Sequence, residues 1–422
     1  MRLSKLFTST TKNVPADETA KNAQLLIQAG FIHKEMAGVY AYLPLGKMVL
    51  DNIIQIIREE MNAIGGQEVS LTALQSKKVW ETTGRWNDKV MDVWFKSKLN
   101  SGGELGLAPT HEEPITNMMR QFVTSYNDLP IYAYQFQTKF RNELRSKSGL
   151  MRGREFLMKD LYSFSIDETA HNQFYETATE AYVRVFERLG IGHVTYKTFA
   201  SGGSFSKYSH EFQTVSPVGE DTIYVHKAKN IAINKEVLTD EVLTDLNISR
   251  EDLKEETAVE VGNIFTLSTK FSDALKLTYS GVEGNSHPVF MGSYGIGPSR
   301  LMGLIAEHFA DDKGLVWPEA IAPARVYLAR LGNTLETIAA ADDLYNHLTA
   351  AGTSVLYDDR DIRPGQKFGD ADLMGIPYRV VISDKTVAAG TVELKARTAV
   401  EASQVDLTKL AETLGISASE LL

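Results

Sequence analysis

The sequence predicts an α+β chain of 422 residues whose second part shifts to a regular α/β rhythm. Three observations carry this reading. Aromatic-rich, alternating segments flank a small basic loop at residues 138–156. Capped amphipathic stretches stand between such segments. After Ala324 the pattern becomes strand, helix, strand, as in a compact domain of roughly 100 residues.

The elements follow in order. From Gly46 to Ile64, Val49, Ile53, Ile56, Ile57 and Met61 recur at helical spacing, and Gly65-Gly66 stops the run. "QEVSLTAL" reads as a short strand. "ELGLAPTHEEPITNMMRQFV" reads as a strand end, a loop at Pro109-Thr110, and a helix with Glu112 and Glu113 in its first turn. "LPIYAYQFQTKFRNEL" and "REFLMKDLYSFSI" are strands. "DETAHNQFYETATEAYVRVFERLG" is a helix with Asp167 as N-cap and Gly190 as C-cap. Residues 234–257 carry eight acidic and three basic residues, which predicts a partly helical surface insertion. "HPVFMGSYGIGPSRLMGLIAEHF" is strand, glycine turn and helix. Pro318 and Pro323 mark a boundary. Beyond it, "RVYLARL", "SVLYDD" and "YRVVISD" are strands, with a helix ending at Gly352 and a last helix near the C-terminus.

Composition excludes several classes. There is no cysteine, hence no disulfide, thiolate nucleophile or Cys-ligated zinc. The nine histidines show no HxxxH or HxH spacing, so no zinc is expected. The formal charge of −10 and pI near 5.5 argue against binding nucleic acid by bulk charge. No apolar run is long enough for a signal peptide or a membrane span, and a cytoplasmic enzyme is expected.

Against that acidic total, residues 138–156 hold six basic residues and two acidic ones. Strand parity places Arg141 and Glu143 on one face, and Arg152, Arg154, Phe156, Met158, Asp160 and Tyr162 on one face of the next strand. An antiparallel hairpin would join forked cation donors, a carboxylate and a ring, which suits a nucleotide and a small acid. The plain alternative is a salt-bridged surface hairpin. "GSYGIGPSR" adds Gly295, Gly297 and Arg300 on a strand-to-helix turn. It lacks the third glycine of a dinucleotide fingerprint, but Arg300 supplies a second phosphate clamp.

These residues resemble a known family. "FRNE" at 140–143 with Arg152, Phe156 and Asp160 is similar to motif 2 of the class II aminoacyl-tRNA synthetases, and "GSYGIGPSR" to their motif 3. "GRW" at 84–86, "PTHEE" at 109–113, "SHEF" at 209–212, "GLVWPEAIAP" and "DDRDIRPGQKFGDADLMGIP" narrow the resemblance to the bacterial-type prolyl-tRNA synthetases. The resemblance implies a class II antiparallel-sheet catalytic domain at 1–322, with motif 2 near 136–162 and motif 3 near 290–309. An α/β anticodon-binding domain would follow at 323–422. It implies a homodimer that uses ATP with Mg²⁺, L-proline and tRNA(Pro), and no zinc, DNA or membrane.

The resemblance also implies roles. Arg141 and Arg300 are the catalytic pair. Arg141, Glu143, Arg152, Phe156, Thr266, Thr269 and Arg300 bind ATP. Thr110, Glu112, Arg141, Met158, Asp160, Tyr162, His210, Ser293 and Gly295 bind proline, with Glu211 nearby. Arg145 and Lys147 meet the tRNA acceptor end, and Arg360, Arg363 and Lys367 the anticodon.

Some positions depart from the family pattern. Thr72 replaces a motif 1 proline, Thr266 a glutamine that often contacts ATP, and Asn263 and Ser268 also differ. Only the acidic insertion near 228–260 stands where many relatives carry an editing domain. The enzyme is thus expected to lack cis editing of Ala-tRNA, leaving a trans-editing protein or tolerated error. The rival readings are a class II synthetase for another amino acid, and a non-catalytic paralogue acting as an accessory subunit.

Overall fold

A computed structural model describes residues 1–144, 148–201 and 208–421. The chain divides into two compact units. One comprises residues 37–39 and 53–301; the other comprises 1–36, 40–52 and 302–422. These units cut the chain differently from the expected 1–322 and 323–422, because the N-terminal residues belong with the C-terminal sheet.

The helix expected from Gly46 runs Pro44–Ala63 (α1). The unit at 53–301 is built on a nine-stranded sheet. Its strands are Gln67–Glu68 (β1), Ile131–Phe140 (β2), Glu155–Ser165 (β3), Thr195–Ser201 (β4), Tyr208–Val215 (β5), Asp221–His226 (β6), Ile231–Asn234 (β7), Lys254–Ser268 (β8) and Phe290–Ile296 (β9). The order is β5-β4-β7-β6-β8-β9-β3-β2-β1, mostly antiparallel. β5 also pairs with β8, so β4 to β8 close into a ring around Ile223, Val225, Ala232 and Ala258.

Two helices matter to the site. Glu112–Met119 (α2) opens with Glu112 and Glu113, as expected. Glu168–Arg188 (α3) is capped by Asp167, whose carboxylate accepts from the Ala170 amide. Its C-cap is Leu189. Gly190 follows at φ 83°, the left-handed position that favours glycine. α3 buries Tyr175, Tyr182 and Phe186, and Tyr182 packs on Phe212 of β5.

The acidic segment is less separate than its composition suggested. It does contain a short helix, Asp240–Asp245 (α4), packed through Val242 and Leu243 on a small core with Ile233 and Ile248. Its flanks, however, are β7 and the start of β8, both in the main sheet. Charge pattern marked the solvated edge and hid the strands' buried face.

Pro298–His308 (α5) follows β9. The C-terminal sheet holds Val326–Leu331 (β10), Val355–Asp358 (β11), Tyr378–Ser383 (β12), Val392–Ala396 (β13) and Ser403–Val405 (β14). Its order is β11-β10-β12-β13-β14. β10 pairs in parallel with β11 and β12, and β12 with β13 antiparallel. Leu335–Ala350 (α6), Pro364–Met374 (α7) and Leu407–Leu414 (α8) accompany it. Leu344, Leu348, Leu410 and Leu414 join Val326, Leu328 and Val380 in one core. The Met1 amino group donates to the Val355 carbonyl at 2.7 Å, and the Arg2 guanidinium lies over Tyr357.

Candidate active site

Register decides which side chains share a face. On β3, Phe156, Met158, Asp160 and Tyr162 alternate on one side. β9 sets Ser293 opposite Tyr162 and Gly295 opposite Asp160. β8 sets Asn263 opposite Gly295 and Phe265 opposite Ser293. Six of the expected residues therefore lie on one surface, and Asn263 joins them.

The arginines arrive by another route than strand parity. β2 ends at Phe140 and β3 begins at Glu155, so Arg141, Glu143, Arg152 and Arg154 lie in the connecting loop. Arg141 Nε donates to the Pro109 carbonyl at 3.2 Å, and its guanidinium lies 5.2 Å from the Phe156 ring centre. Arg152 donates to Glu143 Oε2 from Nε at 3.2 Å and from a terminal nitrogen at 3.1 Å. Its other terminal nitrogen meets Glu220 at 2.8 Å. Arg154, expected on the site face, instead bonds the carbonyls of Glu143 and Ala37. On α5, Arg300 donates to the carbonyls of Met151 and Glu260.

Two adjoining cavities result. One of about 90 Å³ is lined by Arg141, Glu143, Phe156, Met158, Asn263, Gly295 and Arg300, among others. Its neighbour, about 250 Å³, is lined by Arg152, Glu220, Asp221, Glu260 and Arg300, among others. Burial, and then the Arg300 charge, pushes the Arg141 guanidinium below its ordinary value. Two cations held at one cavity favour an anion between them.

Beside this cavity lies a polar recess. Thr110 Oγ1 donates to Glu112 at 2.7 Å, and Tyr162 OH to Glu112 at 3.3 Å. Arg85 bridges Glu112 at 3.2 Å and Glu113 at 3.0 Å, an arrangement the "GRW" phrase did not reveal. Burial would raise the Glu112 carboxyl, but Arg85 and the Thr110 hydroxyl hold it below its ordinary value. Glu113 goes the other way. Burial, with Glu112 adding to it, pushes its carboxyl up to about 7 despite Arg85.

Several expected residues lie elsewhere. Thr266 pairs with Gly292 on the opposite face, where its hydroxyl meets His171 of α3 at 2.9 Å. Thr269 precedes a short helix at Lys270–Leu275 and donates to Asp273. His210 pairs with Ile264 on the helix side and meets Tyr175 OH at 2.6 Å. Glu211, next along the strand, pairs with Asn263 and takes the site face instead. Arg145 and Lys147 lie outside the described residues.

In the C-terminal sheet, Lys367 is 2% exposed. Its ammonium donates to the carbonyls of Arg330 and Asp358, so it is a structural strut. Arg360 is held by Asp358 and Asp370. Arg363 is exposed at the start of α7.

Residues 94–309 match the tRNA synthetase class II core domain (G, H, P, S and T), and residues 325–415 match an anticodon binding domain. A proline–tRNA ligase of Zymomonas mobilis (strain ATCC 10988) is 40% identical over 96% of this chain and 97% of its own. One from Rhizorhabdus wittichii is 40% identical over 94% and 96%. A crystal structure of prolyl-tRNA synthetase from Cryptosporidium parvum, complexed with L-proline and AMP, shares the fold. It has a TM-score of 0.75 at 17% identity, over 93% of this chain and 74% of that one. The chain belongs to the class II aminoacyl-tRNA synthetases, within the proline–tRNA ligases.

Proposed function

We propose that the chain joins L-proline to ATP and passes the prolyl group to tRNA(Pro). The observation that carries this is Arg141, which reaches both the nucleotide cavity and the Pro109-Thr110 loop. A proline carboxylate and the α-phosphate are both anionic. A cation shared between them lets the two approach. One carboxylate oxygen forms a bond to the α-phosphorus while the bond to the bridging oxygen breaks, and pyrophosphate leaves. No general base is needed, because the carboxylate is already ionised. The terminal ribose hydroxyl of the tRNA then attacks the prolyl carbonyl, and AMP departs.

Each remaining group has a part. Phe156 offers a stacking face to adenine, with Arg300 opposite. Glu143 accepts from the adenine amino group. Arg152 and Arg300 take the outer phosphates. Glu112 and Thr110 hold the proline imino nitrogen, and Met158, Asp160, Tyr162, Ser293 and Gly295 line its ring. Among the described residues no group of His, Asp or Glu forms a metal cluster. Magnesium would come with the phosphates, whose oxygens would hold it. The C-terminal sheet would read the anticodon through Arg363.

We further propose a cytoplasmic homodimer without cis editing. The segment at 228–260 forms strands and one short helix of the main fold. Alanine lacks two carbons of proline, and binding discriminates by only about 1–3 kcal/mol per methylene. A trans-editing protein or tolerated error would cover the difference; rapid Ala-tRNA deacylation by the pure enzyme would overturn this.

Amino-acid-dependent ATP–pyrophosphate exchange tests the activity, with proline, alanine, threonine and glycine compared on wild type and Arg141→Ala. Exchange with proline, lost in the variant, is expected. No exchange with any amino acid in a folded protein that binds tRNA would favour a non-catalytic accessory protein.

A further inference from the structure

Lys139 is a charged residue that the reaction above does not use, yet it is fully buried. It lies on β2 directly opposite Phe156, with Gln137 opposite Met158 and Gln135 opposite Asp160. Lys139 therefore points toward the same face as the amino-acid pocket. Its ammonium has two partners. It hydrogen-bonds His111 Nδ1, and it lies 2.8 Å from Asp160 Oδ1 as an ion pair. Asp160 Oδ2 accepts from Gln135 Nε2 at 2.9 Å.

The histidine completes the chain of contacts. His111 is fully buried and stands between Thr110 and Glu112. Because its Nδ1 faces an ammonium, its proton belongs on Nε2, which lies 3.1 Å from the Thr72 carbonyl and donates to it. Burial, and then the Lys139 charge, pulls the imidazole down to about 4, so it stays neutral and keeps that tautomer. The contacts therefore run without a break from Thr72 through His111 and Lys139 to Asp160 and Gln135, and Asp160 Oδ1 meets Lys139 as an ion pair.

We propose that Lys139 is a positioning residue for proline recognition, tying the Thr110–Glu112 loop through His111 to Asp160 on the sheet floor. This rests on the reading of that recess as the proline pocket. A buried ion pair adds little stability over apolar residues of similar volume. What it does add is geometry: the loop that carries Thr110 and Glu112 is fixed in height and rotation over β3. The nucleotide side depends less on it, since Glu143 is held by Arg152 and Arg300 by backbone carbonyls.

The test compares Lys139→Met, Asp160→Asn and the double variant in ATP–pyrophosphate exchange, with thermal melting alongside. Lys139→Met is expected to lower the melting temperature and to raise KM for proline about ten- to hundred-fold, the range for losing a charged hydrogen bond. KM for ATP should move by less than about threefold. The double variant removes both charges and should regain the melting temperature while keeping the raised proline KM. A double variant that regains proline KM as well would mean that Lys139 only neutralises a buried carboxylate, and would overturn the proposal. So would equal shifts in both KM values, or none, in a folded Lys139→Met. If Lys139→Met fails to fold, the electroneutral double variant still decides. Absence of proline exchange in wild type would instead sink the reading of the site itself.

Discussion

Arg152 donates twice to one oxygen of Glu143, at 3.2 and 3.1 Å. The two residues lie nine positions apart on opposite sides of the loop between β2 and β3. The fork thus closes the loop at its base and aims the Glu143 carboxylate across the mouth of the cavity. Glu143→Ala removes the adenine acceptor and frees Arg152 together. KM for ATP is expected to rise about tenfold or more, with KM for proline nearly unchanged. Exchange kinetics over a range of each substrate check this.

Lys367 and Arg363 differ by four positions and by everything in their surroundings. Lys367→Ala leaves two buried carbonyls without their donor and is expected to cost about 2–3 kcal/mol of stability, seen as a lower melting temperature. Arg363→Ala touches no such network. It should leave melting unchanged and weaken tRNA binding, with a smaller dependence on salt. Titration of tRNA at two ionic strengths separates the outcomes.

Much of the site was legible where strands are regular. Phe156, Met158, Asp160 and Tyr162 obey parity, and Ser293 and Gly295 lie opposite them. Parity failed where the chain leaves the strand. Arg141 stands one residue past the end of β2, and Arg152 and Arg154 stand before β3. The resemblance placed both His210 and Glu211 of "SHEF" near the pocket, but only Glu211 takes the site face, since neighbours on a strand point opposite ways. Thr266 is misplaced for the same reason. The Arg85, Lys139 and His111 contacts were not legible at all. Their partners lie 21 to 39 positions apart in sequence, and only the packed sheet brings them together. Likewise, an acidic composition at 234–257 describes what faces water, and says nothing of β8 beneath it.

Glu211 gives a pH signature. Burial, and then the neighbouring Glu260, pushes its carboxyl up to about 7 from an ordinary 4.5. The folded state therefore binds a proton more tightly than the unfolded chain. Its contribution is full below about 4.5, declines as pH rises toward 7, and is lost above that. Glu211→Gln keeps an acceptor for the Gln213 amide, which now meets Glu211 at 2.9 Å. The variant should melt higher than wild type at pH 8, by about 1–2 kcal/mol, with the difference shrinking toward pH 5. Melting curves across that range check the slope.

Gly295 sets the depth of the pocket. A Cβ there would stand 2.8 Å from Asn263 Oδ1 and 2.9 Å from the Met158 methyl, closer than side-chain atoms settle. Met158 is flexible and can yield, but it shares the site face with Gly295, Asp160 and Ser293, so its displacement crowds the side chains proposed to line the proline ring. Asn263 is bonded to Glu260 at 2.9 Å, which limits its retreat. Gly295→Ala should therefore fold, with a penalty of about 1–3 kcal/mol for overpacking, and lose proline activation more than ATP affinity. Comparison of kcat/KM for proline with ATP binding by the free enzyme checks this. If both fall together, the added methyl has shifted β9 as a whole and has not filled the pocket alone.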